Sequence, residues 1–177
     1  MALDSDNVRV ATTGAVYVAP TGTTAPTDSD GALDAAFIDL GYVSADGIAE
    51  TIDKSTNQIR SWQDGSLVRE VVSEGTYSVE MTFIETNEAV LELYYGVTNV
   101  GGKFSIDPRK TGGRQSFVID VIDGASIERT YLPSGEITSV GERTLASGEA
   151  IGYQVTITAY ADASSTVVEK FFSDLEA

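Results

Sequence analysis

Tyr77, Val79, Met81 and Phe83 recur at every second position, and Ser78, Glu80 and Thr82 stand between them. A period of two is that of a half-buried β-strand, apolar on one face and polar on the other. A short helical pattern follows at once. Thr86 or Asn87 can cap its start, Glu88 suits the positive end of the helix dipole, and Gly96 can end it. Ala89, Val90, Leu93 and Tyr94 share one face, and Glu88 and Glu92 the other. A helix of about nine residues does not persist alone, so it must pack on a sheet.

The remaining pattern repeats this theme. "GAVYVAP" (14–20), "FIDLGYVS" (37–44), "GIAETID" (47–53), "SLVREVVS" (66–73) and "TYSVEMTFIE" (76–85) read as strands, the last two separated by Glu74 and Gly75. Residues 116–133 read as a hairpin turning at Asp123 and Gly124. Its Asp120 interrupts an apolar strand and is either buried with a partner or turned outward. Residues 135–142 form another strand, and 149–172 a closing hairpin with Tyr153, Val155, Ile157 and Ala159 on one face. The Gly, Thr and Val content favours strands and turns. Two segments read as loops: 21–36, whose DSDG lacks the ligand series of a calcium loop, and the polar 54–65, which nevertheless carries Ile59 and Trp62. The expected fold is mainly β, a β-sandwich or flattened barrel with one short flanking helix. At 177 residues it forms one domain, with an N-terminal arm over about 1–13 and a C-terminal hairpin or arm over about 149–177.

Cysteine and histidine are both absent, which excludes disulfides, Ser-His-Asp and Cys-His catalysis, and zinc held by His or Cys. The abundant carboxylates form no recognisable catalytic or metal motif, and "GGKFS" and "TGGR" lack the arrangement of a phosphate loop. The expectation is therefore no enzyme, no cofactor and no metal. The first residues do not resemble a signal peptide and no apolar run is long enough for a bilayer, so synthesis in the cytoplasm without membrane anchoring is expected.

The net charge is −16, from 27 acidic and 11 basic side chains, which opposes adhesion to phosphate backbones. It is uneven. Arg9 is the single base up to Asp53, against nine acids, whereas Lys103, Arg109, Lys110 and Arg114 cluster around one acid, Asp107. Such a basic loop either contacts an acidic surface of another copy or is simply solvated.

Two stretches carry a family resemblance. "IRSWQDGSLVREVVSEG" followed by "YSVEMTFIETNEAVLELYYG" resembles the major tail proteins of long-tailed phages, especially those of actinobacteria. The matching positions are Trp62, Gln63, Gly65, Val68, Arg69, Glu85–Asn87, Leu91–Leu93 and Tyr95–Gly96. The late "YQVTITAYADASSTVVEKFF" is similar to the family's closing hairpin. The resemblance implies a structural subunit that assembles into hexameric rings stacked as a tail tube, with inner strands joined into one sheet around a channel. Partners would be other copies, a tape-measure protein, a tail terminator, and distal tail or baseplate proteins. DNA would only pass through. The location would be the virion tail, after assembly in the host cytoplasm. The loop 54–65 becomes the contact between rings, with Lys54, Ile59, Arg60, Trp62, Gln63 and Asp64 as contact candidates beside Arg109, Lys110 and Arg114. Trp62 is then an interface anchor; otherwise it lids the monomer core. Glu70, Glu74, Ser78 and Glu80 are candidates for facing the lumen, although the opposite sheet face is the alternative. A competing reading is a monomeric β-sandwich module that decorates a virion or binds carbohydrate, but the tyrosines are dispersed and form no platform. An acid-type glycoside hydrolase would need a cleft and two spaced carboxylates.

Overall fold

The computed structural model describes residues 7–175. Among these described residues, eight strands form one antiparallel sheet. In chain order they are β1 (Thr13–Pro20), β2 (Ile38–Asp39), β3 (Val43–Arg60), β4 (Leu67–Phe83), β5 (Arg114–Asp123), β6 (Ser126–Val140), β7 (Tyr153–Ala159) and β8 (Glu169–Phe172), with helix α1 (Glu88–Tyr95) after β4. The order across the sheet is β2-β1-β5-β6-β7-β4-β3, with β8 on β6. One hydrophobic cluster joins Val16, Phe117 and Ile119 from one half to Tyr77, Val79, Met81, Phe83, Val155 and Ile157 from the other. The sheet thus closes over its own inner face, which gives the expected mainly β sandwich, with one flanking α-helix among the described residues.

The helix ends are built as the sequence predicts. Asn87 is extended, and its Oδ1 accepts from the Val90 amide at 2.9 Å while its Nδ2 donates to the Leu40 carbonyl at 3.0 Å. One side chain therefore caps the helix and ties it to the end of β2. Gly96 closes the helix in the left-handed conformation, φ 63°, where a Cβ would meet the backbone of the 110–112 segment. Val90 and Leu93 are buried, and Tyr94 packs edge-on against Tyr153, ring centroids 5.4 Å apart.

Four expectations are corrected. Residues 54–60 are not loop: they continue β3, and the true connection is only 61–66. Their polar composition hides a strand because no core lies beneath it; cross-strand pairing with β4 extends it instead. Glu74 and Gly75 do not divide two strands either. β4 runs through them, and a bulge absorbs the irregularity, since Ser55 pairs with Glu74 but Thr56 with Val72, leaving Ser73 extra. Finally, residues 149–172 form no hairpin. β7 pairs with residues 135–140 of β6 and β8 with residues 128–131, one after the other along the edge that β5 leaves open. The separate strand expected over 135–142 belongs to β6, which passes Pro133 at a bulge opposite Ser116, where a missing N–H costs no ladder bond.

Asp120 is buried with a partner. The β5–β6 register places it opposite Arg129, which it meets through both oxygens at 2.8 and 2.9 Å. The third guanidinium nitrogen donates to the carbonyls of Asp28 and Gly31, at 3.2 and 2.8 Å. The DSDG turn is thereby fastened to the sheet by an ion pair, and the Arg129 charge is held firmly because the Asp120 hydrogen bonds raise its pKa. A second knot secures β8. Lys170 bonds Glu50 on β3 and Glu128 on β6. Burial opposes its charge, but the two carboxylates prevail and its pKa rises.

Candidate assembly surface

β4 leaves the core at Tyr77, where its pairing with β7 stops. From there to Leu67, and along β3 from Ala49 to Arg60, almost every residue is exposed. Beyond the Ile52–Tyr77 pair the two strands form an arm with no third strand on either side among the described residues: β3 ends the sheet, and β4 has lost β7. Both outer edges carry unpaired backbone groups. Ile59, Leu67, Val68, Val71 and Val72 lie on this arm with 40–65% of their surface exposed. Two strands alone are marginally stable in water, and a run of exposed aliphatics on both faces is a surface awaiting a partner.

The tip is tightly organised. The Ser61 amide donates to the Ser66 carbonyl at 2.8 Å, the Gly65 amide to the Ser61 carbonyl at 3.1 Å, and Gly65 sits at φ 71°. Asp64 Oδ1 accepts from the hydroxyl of Ser61 and from both the amide and hydroxyl of Ser66. These donors, Ser61 first, lower the Asp64 pKa to about 2. Arg60 donates to Gln58 Oε1 and to the Gly65 carbonyl. Trp62 takes part in none of this and is 95% exposed. It does not lid the core.

The contact candidates fall into two groups at opposite ends of β4. Lys54, Ile59, Arg60, Trp62, Gln63 and Asp64 lie on the arm and its tip, before β4 begins. Arg109 and Lys110 lie in the connection after α1, beyond the other end of β4, and Arg114 begins β5. Arg109 is engaged by Asp107 at 3.0 Å. Arg114 stacks on the ring of Tyr160 at 4.4 Å and lies 3.9 Å from Glu136.

The lumen candidates do not share one face. Glu74, Ser78 and Glu80 pair with Ser55, Thr51 and Ala49 and lie on the polar outer side. The extra residue Ser73 reverses the alternation, so Glu70 lies on the other side, where its Oε1 accepts from Thr56 Oγ1 at 2.7 Å. The outer face continues into residues that were not singled out. Glu80 pairs with Thr156 and Ser78 with Thr158, Gln154 donates to Glu80 Oε1 at 2.6 Å, and Thr138 bonds Thr158. The signal was present in the sequence: with Tyr153, Val155, Ile157 and Ala159 inward, Gln154, Thr156 and Thr158 must point out.

These features describe a β-sheet scaffold whose largest irregular feature is a projecting, uncovered arm. The chain belongs to the phage tail tube protein family, whose family model matches residues 1–176. It is accordingly a structural subunit of the tail tube and a virion component, not an enzyme. No curated protein matches the sequence. Among solved structures it is similar to a chain of the anti-feeding prophage baseplate, with 12% identity, a TM-score of 0.49, and 93% of this chain and 96% of that one covered. It is also similar to a chain of the anti-feeding prophage tube-terminating cap, with 13% identity, a TM-score of 0.48 and coverages of 96% and 98%. A chain of a native gene transfer agent virion shares 10% identity at a TM-score of 0.43, with coverages of 80% and 92%.

Proposed function

We propose that copies of this chain form hexameric rings, that the rings stack into the tail tube, and that DNA passes through the tube's channel during ejection. The observation that carries the self-assembly is the β3–β4 arm. Its open edges and exposed aliphatics are unsatisfied in the monomer, and strand addition from a neighbouring copy would satisfy both. The ring number, and the long-tailed actinobacteriophage type, are inferred from the motif resemblance.

The channel wall is the polar outer face, from Glu74 through Ser78 and Glu80 to Gln154, Thr156 and Thr158. Hydroxyls and carboxylates offer phosphates no counterions, and at physiological salt repulsion persists within about 8 Å. Glu70, on the other side of the arm, belongs to the subunit contacts. A tape-measure protein within the tube, a terminator and baseplate proteins at its ends, and assembly in the host cytoplasm complete the reading.

Negative-stain electron microscopy of concentrated protein, with antibody labelling of virions, tests it. Hollow tubes and label along the tail shaft are expected; label on the capsid, or nowhere on the virion, refutes it. Glu74→Lys and Glu80→Lys should leave tubes intact and slow DNA ejection. Ejection kinetics identical to the parent would remove this face from the channel.

A further inference from the structure

A groove of about 720 Å³ opens between the segment after β1, the β6 residues Tyr131–Ser134 and the β7–β8 connection. Its walls are mostly small or hydroxylated, with Thr23, Ala25, Ser134 and Ser164 among them, and they also carry the carboxylates Asp162 and Glu169. Arg114 lies in it, with a side chain 51% exposed. Its nearest carboxylate, Glu136, is at 3.9 Å, beyond hydrogen-bond distance, so its donors are available to another acceptor.

The arm tip has complementary features. Trp62 stands 95% exposed on a turn already fixed by hydrogen bonds, so little ordering is lost when it binds. Asp64 accepts its three tip bonds through Oδ1, which leaves Oδ2 for a guanidinium. We propose that the tip of one copy seats in this groove of a second copy, Trp62 filling the cleft and Asp64 meeting Arg114. Tryptophan and arginine are the residue types that dominate interface energetics. Tip and groove are different surfaces of one molecule, so the contact is heterologous and can repeat from copy to copy along an open stack. This assignment rests on the tube reading for its repetition, and names the receptor for the arm.

The absence of cysteine permits a clean test. Gln63→Cys and Ser164→Cys are combined in one chain, concentrated and oxidised. A ladder of reducible oligomers is expected from the double variant, heterodimers from a mixture of the two single variants, and neither from Gln63→Cys paired with Ser105→Cys on the basic loop. Adding Trp62→Ala should cut the crosslinked product at least about tenfold, as for an interface anchor. Hollow tubes without a ladder would overturn the groove and leave the tube reading standing. A ladder without tubes would support the contact and overturn the tube. Neither tube nor ladder would overturn both, and equal laddering with Ser105→Cys would overturn the groove.

Discussion

Replacing Arg129 with methionine removes four hydrogen bonds at once: two to Asp120 and two to the Asp28 and Gly31 carbonyls. Arg129 and Asp120 are only 5% and 7% exposed, so water cannot take the lost partner's place. Leaving one member of a buried pair uncompensated costs about 3–5 kcal/mol. A domain of this size is stable by only about 5–15 kcal/mol, and each kcal/mol moves its midpoint by about 2–4 °C. Arg129→Met should therefore lower the thermal midpoint by about 6–20 °C. Far-UV circular dichroism is the appropriate readout, because the single tryptophan is exposed on the arm and does not sense the core. Asp120→Leu combined with Arg129→Met removes the orphaned charge and should recover part of the loss. Recovery stays incomplete, since the two loop carbonyls still lack their donor. A loss below about 2 °C, or a double variant no more stable than the single, would refute this account.

Asn87→Ala should cost about 1 kcal/mol by uncapping α1 and freeing the Leu40 carbonyl, measured by urea denaturation. In Gly135→Ala the new Cβ would meet Phe117 at 2.7 Å and Ile157 at 2.9 Å, both in the core, so a loss of about 1–3 kcal/mol is expected from the same measurement. The Asp64 pKa is depressed to about 2, so its contribution to the tip is complete above the ordinary carboxylate value and disappears as pH falls through about 2. The Ser66 amide resonance should titrate with a midpoint near 2; a midpoint near 4 would mean that the tip is not ordered in solution.

The body of the fold was legible because its side chains record which side is buried. The alternation over 77–83 and 153–159, and the caps at Asn87 and Gly96, each have a local physical cause. The β3 half of the arm was not legible for the converse reason. Lys54 to Arg60 are strand through pairing with β4, and with no core beneath them their side chains carry no imprint of it. The pair of Asp120 and Arg129 was missed by one position of the turn: a turn at Asp123 and Gly124 sets 120 opposite 127, whereas the hairpin turns at Gly124 and Ala125, which sets Asp123 opposite Ser126 and 120 opposite 129. The two successive partners of β6 were out of reach, because nothing local distinguishes a strand that pairs with its predecessor from one that passes on to a more distant edge.

The bulge at Ser73 can be viewed as a phase shift. Along β4 the inward–outward alternation behaves as a wave of period two, and one additional residue advances it by half a cycle. Upstream and downstream segments of the same strand are then no longer bound to a common assignment of sides. Val72 comes to the side that carries Tyr77 and Val79, while Val71 and Arg69 come to the side of Glu74 and Glu80. Inserting one residue between Ser55 and Thr56 to pair with Ser73 would remove the bulge and exchange the two surfaces of the distal arm while leaving the body in register. A single small residue thus lets one continuous strand present two independently composed surfaces, one selected for folding and the other free to be selected for meeting a neighbour.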